Sequence, residues 1–218
     1  IPSPEKPVRV IREYVEALRA LWSGAPVEQD GAIWQLDGAR MAFNPSPNIP
    51  VFVASTGPQI LKLSGRIADG VLFSGGLSIN YTRQCAEFAN EGLVQAGRRS
   101  EDFRKAGFVY FSCTEDGVSA VEANKEKLAF LFRNSAQAAN IKSVDIPIDH
   151  EKIQELVRER RLDEAARLIP SEAVTKFSVA GTPDQCREQL QAYIDAGVDE
   201  PVIEVTGTEE ERRLALEV

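Results

Sequence analysis

Two short apolar runs, Val51-Phe52-Val53 and Val71-Leu72-Phe73, flank a segment of helical periodicity, and each is followed at once by small polar residues. This stretch, IPVFVASTGPQILKLSGRIADGVLFSGG over residues 49–76, constrains the fold more than any other part of the chain. Each run is too short for a helix and rich in β-branched or aromatic residues, which predicts a strand buried on both faces. Between them, Ile60, Leu61, Leu63, Ile67 and Ala68 share one face of a short helix. Strand, loop, helix, strand is a βαβ unit, and its crossover sets the two strands parallel. The loops Ala54-Ser55-Thr56-Gly57-Pro58 and Ser74-Gly75-Gly76 are then expected to open on one edge of a parallel sheet.

That edge is where α/β proteins bind ligands. Gly57 lets the backbone pass close to a bound group, and Pro58 fits the first helical turn, where its missing N–H costs nothing. The N–H groups of Thr56 and Gly57 and the hydroxyls of Ser55, Thr56 and Ser74 are the groups that can converge on a phosphate at a helix N-terminus. The same residue types also build an ordinary strand-to-helix turn. Composition does not separate the two readings.

The stretch resembles the mid-chain signature of the bacterial-luciferase-like superfamily, which holds flavin-dependent monooxygenases and reductases that use the deazaflavin coenzyme F-420. The matching features are Pro50-Val51-Phe52-Val53-Ala54, Gly57-Pro58, the helix ending in Gly65-x-x-Ala68-Asp69-Gly70 and the apolar strand after it. FSVAGTPDQCREQLQAYIDAGVDEPVIEV over residues 177–205 resembles the closing segment of that group, and KPVRVIREYVEALRALWSG its opening helix. Three such segments in the right order cover most of the chain.

The resemblance implies an α/β fold of the (β/α)8 TIM-barrel type, with only the C-terminal half, strands five to eight, represented over a single domain 1–218. At the usual barrel spacing, about 120 residues would lie on the N-terminal side. It also implies coenzyme F-420 or FMN as cofactor, with the phosphate held by Ser55, Thr56 and Gly57 and by Ser74, Gly75 and Gly76. The residues facing the cofactor ring come largely from the first half of such barrels, so no catalytic residue is named. The branch acting on glucose 6-phosphate carries a lysine near the position of Leu77. Leucine cannot hold a phosphate, which favours the methylenetetrahydromethanopterin-reductase-like branch. The reaction so implied is hydride transfer, or oxygen activation by reduced flavin, on a small organic substrate. The segment Ala68-Asp69-Gly70 tips the choice toward F-420. A non-catalytic half-barrel acting as a folding or association partner is the alternative.

Composition bounds the rest. The 218 residues suffice for one sizeable core, with 43% hydrophobic and 27% charged residues. A formal net charge of −8 argues against nucleic acid or a membrane surface as partner. No apolar run reaches the length of a membrane span, and no basic-then-apolar leader pattern is present. Cys85, Cys113 and Cys186 have neither metal-ligand nor disulfide-framework spacing, so they read as reduced thiols in a cytoplasmic protein. The one histidine, His150, opens a charged helix, where capping or surface exposure outweighs catalysis.

Along the chain, residues 4–23 read as an amphipathic helix with Ser3 as cap and Gly24 as stop. Asp30-Gly31 signals a two-residue hairpin turn between short strands near 27–29 and 33–36. Asn44-Pro45-Ser46-Pro47-Asn48 is a loop. Helices are expected at 78–96, 116–137, 149–167 in two pieces, 170–177, after Thr182-Pro183, and from 209 on. Strands are expected near 51–54, 71–74, 107–113 and 202–205. The aromatics Phe108, Tyr110 and Phe111 read first as core, second as a stacking surface for a cofactor. Strands 51–54 and 202–205 carry no lysine to protect an exposed edge, so a chain of these residues alone is expected to form a homodimer or other homo-oligomer.

Overall fold

The computed structural model describes residues 6–43 and 49–218. The expected cap Ser3 and the loop 44–48 lie outside the described residues. The chain falls into two compact units, one of residues 1–72 with 87–104 and the other of residues 73–86 with 105–218.

In the first unit, α1 (Pro7–Trp22) starts with proline in its first turn, where no N–H is needed. The chain leaves it through Gly24 at φ 79°. A hairpin follows, β1 (Val27–Asp30) paired antiparallel with β2 (Gln35–Ala39). Its loop is four residues long rather than two, because Asp30 pairs with Gln35 and Gly31 N–H donates to the Trp34 carbonyl. The reason is non-local. The Glu13 carboxylate on α1 accepts from the N–H groups of Ala32 at 3.2 Å and Ile33 at 2.9 Å and from Arg9 Nε at 2.6 Å. Those donors, Arg9 first, hold its pKa at about 2, well below the ordinary 4.5.

β3 (Phe52–Ala54), α2 (Pro58–Ile67) and β4 (Gly70–Phe73) form the expected βαβ unit, with Phe52, Val53 and Ala54 beside Gly70, Val71 and Leu72 in parallel register. Val15, Val51, Val53 and Ala68 form the core, with Ile11, Trp22, Ile60 and Ile67 packed on it. Only β4 meets the expectation of burial on both faces. On β3, Val53 is buried while Phe52 is 39% exposed, so the strand is covered on one side. Asp69 ties the unit together, because its carboxylate accepts from Val51 N–H at 2.8 Å and from Arg19 at 3.0 Å. Gly70 lies directly under the Phe52 ring, where a Cβ would sit 2.4 Å from a ring carbon. The Ala68-Asp69-Gly70 segment is therefore a packing device. α3 (Ile79–Gln95) runs from the second unit into the first.

The second unit is built on β5 (Arg104–Cys113). After it come α4 (Val118–Phe132), α5 (Ala138–Lys142), α6 (His150–Arg158), α7 (Leu162–Arg167) and α8 (Ser171–Phe177). Then β6 (Val179–Gly181), α9 (Pro183–Asp195), β7 (Glu200–Val205) and α10 (Glu209–Leu216) complete the chain. β5 pairs in parallel with β6 at its end and with β7 along residues 106–111. β6 is a strand that the sequence did not announce. Leu128, Phe132, Ile153 and Phe177 anchor a helical core, with the Phe132 and Phe177 rings edge to face at 5.0 Å. The expected break between α6 and α7 falls at Arg160, a non-glycine residue at φ 63°. His150 serves the fold, since its Nε2–H donates to the carbonyl of Phe132, the last residue of α4, at 2.7 Å. α9 opens with the expected Thr182 cap, in a reciprocal box with Gln185.

Candidate functional site

The first predicted loop lies in the first unit. Ser55 N–H donates to the Leu72 carbonyl at 3.2 Å, carrying the parallel ladder one residue past β3. Gly57 N–H donates to the Ser55 hydroxyl at 3.1 Å, and Gly57 is the N-cap of α2 without any side-chain cap. Its φ of −81° and ψ of 132° suit any L-residue. A Cβ built on it would meet only the Ser55 hydroxyl, at 3.8 Å. Neither backbone strain nor packing asks for glycine here. The position opens on solvent at the positive end of a ten-residue helix.

The second predicted loop, Ser74-Gly75-Gly76, lies in the second unit and has a different logic. A Cβ on Gly75 would stand 2.8 Å from Phe108 and 3.1 Å from Tyr110. Gly76 has φ 67°, and a Cβ there would stand 2.3 Å from Leu131. Both glycines are required by the fold. Side chains from distant elements hold the chain just beyond them. Asn140, 1% exposed, accepts from Ser78 N–H at 2.8 Å and donates to the Gly76 carbonyl at 2.8 Å and to Gln137 at 3.0 Å. Ser143 shares a hydroxyl hydrogen bond with Ser78, and the Tyr193 hydroxyl donates to the Leu77 carbonyl at 2.7 Å. These contacts hold the loop from within the chain itself.

Near the C-terminal ends of β5 and β7 the second unit also gathers polar groups that sequence reasoning missed. Lys127 of α4 ion-pairs with Glu204 of β7, and its ammonium stands 5.3 Å from the centre of the Tyr110 ring. Burial first, then the Glu204 carboxylate, raise the Tyr110 hydroxyl above its ordinary pKa. Of the three β5 aromatics, Phe111 is core, whereas Phe108 and Tyr110 are only half-buried and lie edge to face at 5.9 Å. The signal available in the sequence was a lone acidic residue near the end of the apolar strand Val202-Ile203-Glu204-Val205. The cysteines are not nucleophile candidates. All three are buried thiols outside any disulfide, and burial pushes Cys85 and Cys186 up to about 12.

Residues 3–200 match the luciferase-like monooxygenase family. The chain belongs to that family. It is 30% identical over 208 residues to the F-420-dependent glucose-6-phosphate dehydrogenase of Nocardia farcinica, covering 94% of this chain and 57% of that protein. It is 27% identical over 202 residues to the 5,10-methylenetetrahydromethanopterin reductase of Archaeoglobus fulgidus, covering 91% of this chain and 60% of that one. The solved coenzyme F-420-dependent tetrahydromethanopterin reductase of Methanopyrus kandleri superposes with a TM-score of 0.84 at 27% identity, over 96% of this chain and 61% of that one. An F-420-dependent secondary alcohol dehydrogenase, 19% identical with a TM-score of 0.71, shares the fold. The chain thus spans about 60% of the length of these luciferase-like relatives. Its α/β architecture with parallel strands is that of the TIM-barrel luciferase-like enzymes over that portion, as the sequence led us to expect.

Proposed function

We propose that this luciferase-like protein is a coenzyme F-420-dependent oxidoreductase that transfers hydride to or from a small organic substrate, and that the loop opening α2 contacts the coenzyme's phosphate. The observation that carries the reading is Gly57. It is a glycine that the fold does not need, at an uncapped helix N-terminus, in a family whose relatives at 27–30% identity are named for methylenetetrahydromethanopterin reduction and for F-420-dependent dehydrogenation. Main-chain donors at such an end suit a phosphate through both hydrogen bonding and the helix dipole. Ser55 and Thr56 belong to this proposed set. Ser74, Gly75 and Gly76 form a second one, and the hydrogen bonds from Asn140 and Tyr193 just beyond it would lower the ordering cost of binding.

The coenzyme, when bound, supplies the hydride acceptor or donor. The chain's own part is to fix the phosphate end and to keep the loop around Gly76 from moving. FMN offers a comparable phosphate and is the alternative cofactor, with oxygen activation as the matching chemistry. Leu77 supports a substrate other than glucose 6-phosphate. Buried thiols outside any disulfide support a reducing compartment such as the cytoplasm.

Fluorescence titration of the complete gene product with F-420 and with FMN tests the reading. Saturable F-420 binding, tighter than FMN, is expected. Binding of neither overturns the oxidoreductase assignment and leaves the non-catalytic association partner. We propose further that a chain of these 218 residues alone self-associates, since Val202 and Ile203 of β7 are each 42% exposed. Light scattering that returns a 24.0 kDa monomer at high micromolar concentration refutes this.

A further inference from the structure

β5 and β7 run parallel with Phe108 beside Val202 and Tyr110 beside Glu204, so these four side chains share one face. Gly75 lies against the Phe108 and Tyr110 rings on that face. Tyr110 and Glu204 sit near the C-terminal ends of their strands, the end from which α/β enzymes reach their ligands. Lys127 adds its ammonium over the Tyr110 ring and pairs with Glu204, and the two side chains remain 27% and 42% exposed. An aromatic wall that ends in a few converging polar groups is the composition of a small-molecule site.

The charges decide the class of ligand. The pair has no net charge, yet it keeps unused ammonium N–H donors on one side and a carboxylate acceptor on the other. A neutral group that both donates and accepts, such as a hydroxyl or a lactam, uses both partners without breaking them apart. An anion would have to take Lys127 from Glu204 while standing beside that carboxylate. We propose that Tyr110, Lys127 and Glu204 bind the polar end of a neutral substrate carrying a hydroxyl or cyclic amide, and that Glu204 excludes anionic substrates. The inference rests on the oxidoreductase reading and deepens it.

The test is calorimetric titration of the complete gene product with glucose 6-phosphate as the anionic probe and glucose as its neutral counterpart, with F-420 titrated in parallel. The native protein is expected to bind glucose 6-phosphate no more tightly than glucose. Glu204→Gln releases Lys127 and should tighten glucose 6-phosphate at least tenfold, with glucose unchanged or weaker. The double variant Glu204→Gln with Lys127→Met keeps an apolar stem over Tyr110 and should lose that gain. Thermal melts of both variants establish that each is folded. A folded Glu204→Gln protein whose preference is unchanged overturns the proposal, and so does a gain that survives Lys127→Met. A tenfold loss of F-420 affinity in Glu204→Gln also overturns it, because the pair would then belong to the coenzyme. If F-420 does not bind the native protein, the oxidoreductase reading fails, while the probe titrations still report on the anion exclusion by themselves.

Discussion

Replacing Gly57 separates a ligand contact from a folding requirement. At φ −81° and ψ 132°, with only the Ser55 hydroxyl within 4 Å of a new Cβ, Gly57→Ala introduces no clash and no strain. It removes conformational freedom from the unfolded chain, which should stabilise the protein by about 0.4–1 kcal/mol. On the proposed reading, the same methyl would stand where a phosphate oxygen approaches the N–H groups opening α2. Losing one charge-assisted hydrogen bond costs about 1.5–3 kcal/mol, or roughly ten- to a hundredfold in Kd. Gly57→Val should do the same at the upper end of that range. Gly76→Ala is the control. At φ 67° an L-residue costs about 1–2 kcal/mol before any clash, and the new Cβ lies 2.3 Å from Leu131. That variant should lose stability first. Urea melts and F-420 fluorescence titrations on the same preparations measure both quantities. A Gly57→Ala protein as stable as expected but with unchanged F-420 affinity removes Ser55, Thr56 and Gly57 from the site. One that is destabilised by more than about 1 kcal/mol refutes the reading of open space.

Asn140→Asp keeps the acceptor for Ser78 N–H but turns a donor toward the Gly76 carbonyl and Gln137 into a second acceptor. It should cost about 2–3 kcal/mol in urea denaturation, and a loss below about 0.5 kcal/mol would mean that the clamp is not needed. Glu13 has a folded pKa of about 2 against an ordinary 4.5, so its contribution is fully present above the ordinary value and is lost as pH falls toward 2. The stability difference between the native protein and Glu13→Gln should therefore shrink between about pH 5 and pH 2, and a difference that stays level across that window refutes the assignment. Cys85 and Cys186, buried and raised to about 12, should resist thiol reagents at about pH 8 until denaturant is added. Prompt labelling of the folded chain contradicts their burial.

What could be read from the sequence follows the range of the forces involved. β4 showed as an apolar, β-branched and aromatic run because burial on both faces leaves a mark in a single strand, and β5 showed as such a run although Phe108 and Tyr110 on one face are only half-buried. β3 carried the same mark and yet exposes Phe52, since a run of three residues says nothing about what covers it. β6 is also three residues long, between two helices, too brief for any periodicity. The hairpin was found, but its turn was not, because Glu13 organises the turn from α1. Arg160 ends a helical turn at a positive φ without the glycine that would have announced it.

The glycines show why a site is harder to read than a strand. Gly57, Gly75 and Gly76 look alike in sequence, each in a small polar loop after an apolar run. Only the side chains around them divide them. Phe108, Tyr110 and Leu131 come from 32 or more residues away and leave no room at Gly75 or Gly76, while nothing crowds Gly57. A glycine with a steric reason is evidence about the fold, and one without such a reason is evidence about what the fold meets. The same distinction brings Lys127, Tyr110 and Glu204 into view. No spacing along the chain links a lysine to a glutamate 77 residues later, and it is the strand register that sets Glu204 beside Tyr110 within reach of the ammonium on α4. Long-range register therefore carries more of the proposed site than any motif does, and the Glu204→Gln titration addresses the part of that proposal that register alone creates.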